Sequence, residues 1–559
     1  VLVYGKRLHV ADPTAWLAQL QRAYATTASL PGGIDRHGKL VTILIEAGQI
    51  AQGLADARMA AAGQDDMGPE QQHMMGLLMT LAGVVLRSWD SGFAGALPPR
   101  LAWTWPKNVQ LPEQIEFRRP EGFSYYAVYP ESYAVAARCL GTRDARVIGL
   151  RSIGTSLAAM TAAALGAPSA VTVRPVGHPF DRKLTISPLL AAVLKTEPDR
   201  LRIVVDEGPG LSGSSFGAAL DWLADAGIPE RNMACIPSHA GSPGAMARTA
   251  HVARWNRVKR VPACFESLVL GARSAPHRLE QWFADLVGAP MAPLQDVSGG
   301  AWRRERRIDA PGLPGLERRK FLLRTARGVW LLKFAGLGRV GAEKFVMSCR
   351  LAEAGLVSAP VGFRHGFMIE PWLEARVPDA PGYALVERIG QYLGWRARNL
   401  PACGGASLDE LARMARHNVS EGLGAGAGRA LRFEYQGCRR PIHIDGRLHR
   451  WEWLCLPDGR VLKSDAVDHA DAHDLVGPQD VAWDIAGAIV EFDLAPEDAR
   501  RLRRIVCSVG GVETDPMLVD DHVIHYCAFQ LGLWTQHGSC VPARYARHLL
   551  ARQAVGQPG

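Results

Sequence analysis

The chain has 559 residues, enough for about three domains of roughly 150 residues each. Its 64 Lys and Arg against 55 Asp and Glu give a formal net charge of +9, but no basic run interleaved with aromatics marks a nucleic-acid groove. The ten cysteines lack CxxC or other metal spacing, which argues for reduced thiols rather than a disulfide framework or zinc cluster.

The opening VLVYGKRLHV carries no secretory h-region, and the longest apolar run, GLLMTLAGVVL at 76–86, is shorter than the about 20 residues of a membrane span. A cytoplasmic protein with small-molecule partners, no membrane and no nucleic acid is the expectation; a homo-oligomer is left open. Residues 1–118 read as a helical region. HGKLVTILIEAGQIAQGLADARMA (37–60) has apolar residues at helical spacing, and Glu46, Gln49 and Gln52 among them either line a pocket or mark a wet face. The Trp, Pro and Gly cluster from Trp89 to Pro112 reads as a loop leading to a second domain at 119–295.

There strand and helix alternate. VIGLRSIGTSLAAMTAAALG (147–166) predicts a strand, a polar loop and an Ala-rich helix ended by Gly166. The loop Arg151-Ser152-Ile153-Gly154-Thr155 sets amides, hydroxyls and a guanidinium at a helix N-terminus, which suits an anion. In AVTVRPVGHPFDRKLTIS (170–187) a strand enters a basic excursion and returns as a second strand. Arg174, His178, Arg182 and Lys183 there either neutralise an anion or belong to a solvated hairpin. IVVDEGPGLSGSS (203–215) predicts a buried strand, two acids, a glycine turn and the start of the helix FGAALDWLADAG. NMACIPSHAGSPG (232–244) supplies a further strand, and His239 beyond its carboxyl end either faces an acceptor or is structural, as a lone His more often is.

Gly208 to Gly213 formally match GxGxxG. A dinucleotide site is nonetheless excluded, because Asp206 and Glu207 directly before the glycines would repel a pyrophosphate lying against them. Carboxylates beside a phosphate cradle suit a sugar phosphate, with acids on ring hydroxyls and amides on the phosphate. Here the sequence resembles the type I phosphoribosyltransferases. The resemblance implies that Asp206 and Glu207 are the acidic pair and that Ser212, Gly213, Ser214 and Ser215 hold the 5-phosphate of phosphoribosyl pyrophosphate (PRPP). It also gives Arg151, Ser152, Gly154 and Thr155 the pyrophosphate, and makes the excursion with Arg174, Arg182 and Lys183 the loop that closes over PRPP. The sequence departs from the family by Ser in place of Thr and by one extra residue within Gly208-Pro209-Gly210.

A third domain is expected at 296–559. RRKFLLRTARGVWLLKFAG (318–336) reads as a hairpin, AEKFVMSCRLAEAG (342–355) as a helix, and FMIEPWLEA (367–375) as a strand. Later a His-x-Asp segment precedes a Trp-rich strand, a Pro-Asp-Gly turn, a strand ending at Asp465 and a helix opened by Asp484. This order resembles the kinase-like fold of aminoglycoside and choline phosphotransferases. The resemblance implies that Lys333 neutralises nucleotide phosphates, Glu343 orients it, Asp445 positions the acceptor hydroxyl, Asp465 holds Mg²⁺ and Asp484 is a buried structural acid, with His443 and His449 bracketing the loop. No Gly-rich loop precedes Lys333, and Glu452 stands where the family has Asn.

The expectation is thus an α/β protein: a parallel-sheet type I phosphoribosyltransferase-like domain, a helical N-terminal region and an α+β kinase-like domain. Its reaction would transfer 5-phosphoribosyl from PRPP, with Mg²⁺, to a nucleobase-like or amine acceptor, with Asp206, Glu207 and Arg151 as the catalytic set. The alternatives are a regulatory protein that binds PRPP without turnover, and an ATP-dependent small-molecule kinase with an accessory domain.

Overall fold

A computed structural model describes residues 8–555 except 102, 104, 107, 379, 470, 471, 473, 474, 538, 539 and 542. The N-terminal region is built on α1 (Pro13–Ala28), α2 (Ile34–Ala62) and α3 (Pro69–Asp90). α2 is buried on most of its circumference, so it is a core helix rather than an amphipathic cover; Gly63 ends it with φ 70°. Glu46 sits in this apolar setting because Trp16 Nε1 donates to it at 2.9 Å and Arg339 pairs with it at 2.9 Å. The apolar run at 76–86 lies within α3, and among the described residues no helix is long and apolar enough to cross a membrane.

After α4 (Pro130–Arg138) comes a parallel sheet of β1 (Ala145–Leu150), β2 (Ala170–Val173), β3 (Leu201–Val205), β4 (Met233–Ile236) and β5 (Lys259–Arg260), in the order β2-β1-β3-β4-β5. The period of two divides its residues between two cores. Ile203 and Val205 face the N-terminal helices, whereas Val204 faces Phe216 and Trp255 on the other side. β1 leads into α5 (Gly154–Leu165) and β3 into α6 (Ser214–Asp225). The chain therefore leaves β1 and β3 in opposite lateral directions, which opens a crevice at their carboxyl ends. The basic excursion is a separate hairpin of Val176–His178 against Asp181–Lys183.

The last part contains an antiparallel sheet, β6 (Gln295–Asp296), β7 (Lys320–Thr325), β8 (Gly328–Phe334), β9 (Gly362–Arg364) and β10 (Phe367–Pro371), in the order β6-β7-β8-β10-β9. α7 (Gly338–Glu353) starts four residues before the expected 342. A helical layer that includes α8 (Ala482–Phe492) completes it. The chain is mixed α/β as read from sequence. The expected boundaries at 118 and 295 do not interrupt the interior: one hydrophobic core runs from Leu20 through Val205 to Phe367 and Ile369. Phe321, Phe334 and Phe367 of the second sheet reach Phe265 and Tyr129 of the preceding segment, so apolar surface on both sides of residue 295 is buried together.

Candidate active site

The crevice beyond β1 and β3 is a cleft of about 1020 Å³. Into it the structure brings Arg151, Ser152, Arg174, Arg182, Asp206, Glu207, the loop 208–215, Ser238 and His239. Asp206 and Glu207 follow the last residue of β3. Tyr133 donates its hydroxyl to the Asp206 carbonyl at 2.8 Å, and Ser238 Oγ accepts the Gly208 N–H at 3.0 Å, so β4 and α4 both brace the turn. Gly213 takes φ 57°, and a Cβ there would lie 2.7 Å from Pro243, which explains glycine just before α6.

Glu207 is the most informative side chain. Its Oε2 is buried without a hydrogen-bond partner, and the Gly122 backbone approaches so closely that a Cβ would overlap the carboxylate. Burial first, then the Glu121 carboxylate, push its pKa up to about 8, against the Gly122 amide. Burial and Glu207 likewise raise Asp206 well above the carboxylate range. Each acid has a backbone amide beside it, but Glu207 Oε2 is left without a donor, and a ligand carrying hydroxyls supplies one.

The hairpin lies over the phosphate loop. Ser212 and Ser214 donate their hydroxyls to the Pro179 carbonyl at 3.0 and 2.6 Å, and Arg182 donates to Ser215 Oγ at 2.6 Å. Serine hydroxyls, first-turn amides and a guanidinium thus meet at the N-terminus of α6, a setting for a phosphate. His239 is exposed on the cleft wall, its Nδ1 accepting the Gly241 N–H at 3.1 Å.

Several expected residues stand otherwise. Arg151 is buried, and its guanidinium is taken by Asp56, at 2.9 Å, and Asp65; Arg174 donates to the same Asp56, at 2.6 Å through Nε. Their charges are compensated by carboxylates from the helical region, so neither is a bare anion ligand. Asp56 and Asp65 carry no motif that singles them out; the one local signal is an acidic pair, Asp65-Asp66, just after helix-ending Gly63. Gly154 and Thr155 are buried in the first turn of α5 and do not line the cleft. Gly154 is small because a Cβ there would lie 2.7 Å from the Val205 carbonyl oxygen, a packing reason rather than an anion-binding one. Lys183 and His178 are exposed on the hairpin and do not line the cleft.

In the C-terminal part, Lys333 is buried on β8 and pairs with Asp465 at 3.2 Å and Asp468 at 3.0 Å. Glu343 does not orient it: on α7 Glu343 is exposed, while its neighbour Lys344 turns inward to Asp468 at 3.4 Å. Helical phase places the charge opposite to expectation on the inner face. Asp465 is held by Lys333 through Oδ1 and by Lys320 through Oδ2 at 2.6 Å, and the lysines keep it well below the carboxylate range. With both oxygens on ammonium groups, Asp465 does not fit the Mg²⁺ ligand expected of it. Asp445 is buried against Lys463 at 3.2 Å. Asp484 accepts the amides of Asp445 and Gly446 at 2.8 and 2.9 Å, organising that loop. Glu452 pairs with Lys463 at 2.7 Å and Arg447 at 2.9 Å, His449 lies 3.0 Å from Glu491, and the His443 carbonyl accepts from Arg396. The two cavities around Asp465 measure about 50 and 70 Å³, small beside the roughly 300 Å³ and more of small-molecule sites.

No protein-family model matches the sequence, and no curated protein matches it. Among solved structures, 50% of the chain is similar to 96% of choline kinase LicA from Streptococcus pneumoniae, at 13% identity and TM-score 0.32. A choline/ethanolamine kinase family protein from Mesorhizobium loti matches 49% of the chain over 94% of its own, at 16% identity and TM-score 0.30. Spectinomycin phosphotransferase APH(9)-Ia, in complex with ADP and spectinomycin, matches 50% over 94%, at 10% identity and TM-score 0.32. These neighbours are small-molecule kinases and phosphotransferases. Similarity at these scores assigns neither fold nor activity to this chain.

Proposed function

We propose that the central cleft binds PRPP as its Mg²⁺ complex and transfers the 5-phosphoribosyl group to a nitrogen of a nucleobase-like or amine acceptor, releasing pyrophosphate. The observation that carries this reading is the pair Asp206 and Glu207 at the end of β3, with Glu207 Oε2 unpartnered, next to the Ser212–Ser215 cradle. The carboxylates accept the ribose hydroxyls. The amides of 212–215, the Ser215 hydroxyl and Arg182 hold the 5-phosphate, and the Ser212 and Ser214 hydroxyls join them when the hairpin releases them from the Pro179 carbonyl. Ser152 and Mg²⁺ take the pyrophosphate, while Arg151 and Arg174, fixed by Asp56 and Asp65, shape that end of the cleft and soften its field. As the C1′ bond breaks, positive charge grows on the ribosyl carbon and negative charge on pyrophosphate; oriented groups in a closed cleft favour that separation and exclude water as a competing nucleophile. The test is pyrophosphate release from PRPP and Mg²⁺ across a panel of nucleobases and amines. Release that is lost in the double variant Asp206→Asn, Glu207→Gln supports the transferase; tight PRPP binding with no release for any acceptor replaces it with a PRPP receptor.

A second reading, a small-molecule phosphotransferase in the C-terminal part, is favoured by one arrangement: Lys333 meets Asp465 while Asp484 holds the Asp445 loop. It requires Lys320 and Lys333 to release Asp465 before ATP and Mg²⁺ enter. ATP consumption that is abolished by Asp465→Ala and untouched by Asp206→Asn decides for it.

A further inference from the structure

Away from both sites, three segments distant in sequence meet at a buried cluster. His37 comes from α2, Glu131 from the first turn of α4, and His365 from the turn between β9 and β10; they are 0%, 0% and 4% exposed. Their ligand-type atoms all lie within 4.8 Å of one another. His37 Nε2 is 2.8 Å and His365 Nε2 3.3 Å from Glu131 Oε1. Ser88 Oγ, 3.1 Å from His37 Nδ1, fixes the far side of that ring.

Hydrogen bonding alone does not satisfy this group. His365 Nε2 is close to Glu131 but lacks hydrogen-bond geometry, and Glu131 Oε2 has no partner either. Buried polar atoms are ordinarily paired. Both orphans are resolved at once by a cation between the three side chains. Ligands about 2.0–2.1 Å from a tetrahedral zinc lie about 3.3 Å apart, which is the separation of His365 Nε2 from Glu131 Oε1, at 3.3 Å, while the 2.8 Å hydrogen bond between His37 and Glu131 opens by about 0.5 Å to admit the ion. Two imidazoles and one carboxylate, with the Ser88 hydroxyl on the outer nitrogen of the His37 ring, form a donor set suited to zinc. Aromatic rings enclose it: Phe93 lies 4.8 Å from His37 and Tyr129 4.9 Å from His365, and the Tyr129 hydroxyl donates to the His365 carbonyl at 2.8 Å. His365 also borders a cleft of about 620 Å³.

We propose that His37, Glu131 and His365 bind one Zn²⁺ and staple the helical region, the segment before the parallel sheet and the antiparallel sheet to one another. The fourth position is left for water. The site explains why a histidine sits at φ 44° in a two-residue turn, where Asn or Gly is usual.

The test uses the full chain. It is stripped with a chelator, titrated with Co²⁺ and then Zn²⁺, and read by visible absorption and by metal content. One Co²⁺ per chain is expected, with the absorption of a four-coordinate nitrogen and oxygen site, displaced by one Zn²⁺. His365→Asn, which keeps a residue tolerant of the left-handed turn, and Glu131→Gln are each expected to weaken binding more than about 100-fold, with circular dichroism as the check on folding. Failure of the wild-type chain to bind either ion overturns the proposal whatever the variants do. A sulfur-to-cobalt band, which places the ion on cysteine, or unchanged binding in both folded variants, overturns it too.

Discussion

Glu207 gives the sharpest test of the cleft. Its pKa is brought up to about 8 by burial and by Glu121, so near neutral pH the ligand-free side chain is mostly protonated. If its ionised form accepts a ribose hydroxyl, PRPP affinity follows the ionised fraction. Between about pH 6.5 and about pH 8.5 that fraction rises about 25-fold, equivalent to about 1.9 kcal/mol of binding free energy. Calorimetric titration of Mg²⁺–PRPP across this range in wild type and Glu207→Gln isolates the effect, because the phosphates of the ligand titrate identically in both. The wild-type curve is expected to steepen relative to the variant and level off above about pH 8, and Glu121→Gln is expected to move the bend to lower pH. Parallel curves for wild type and Glu207→Gln would refute the role given to this carboxylate. The same shift has a stability consequence. The folded value exceeds the ordinary 4.5, so the folded chain retains the proton longer than the unfolded one, and this contribution is complete below pH 4.5 and lost as pH rises towards 8.

Other outcomes follow from particular contacts. Arg182→Ala removes the bond to Ser215 and one cation from the cradle; about tenfold weaker PRPP binding is expected, with faster proteolysis of the 176–183 hairpin as an independent readout. Gly154→Ala drives a methyl to within 2.7 Å of the Val205 carbonyl, and urea unfolding is expected to show a loss of about 1–3 kcal/mol; an unchanged midpoint would mean that α5 shifts freely over β3. Asp465→Asn leaves Lys320 without its closest carboxylate and Lys333 with Asp468 alone. A loss of about 3 kcal/mol in thermal or chemical unfolding is expected for breaking such a buried network, and no loss would show that the lysines reach water.

Local features were legible in the sequence where local physics decides. The β-branched strand at 203–205, the acids at 206 and 207 and the glycine-rich approach to α6 could be read in order, because a strand-to-helix turn with first-turn amides is specified within about a dozen residues. The hairpin at 320–334 was legible for the same reason. What tertiary structure alone decided was partnership. Nothing near Arg151 in sequence reveals that Asp56 and Asp65, 95 and 86 residues away, would take its guanidinium. Glu343 was misplaced because helical phase, set by which face of α7 packs inward, turned Lys344 to the interior instead. One hydrophobic core spans both sides of residue 295, which sequence does not show, because buried apolar area is a property of surfaces that meet. Phe265, Phe321 and Phe367 show that surface only when the two sheets are in place. His37, Glu131 and His365 make the same point most plainly: each is unremarkable in its own segment, and only the fold, by bringing three buried polar groups to one spot, gives them something to do.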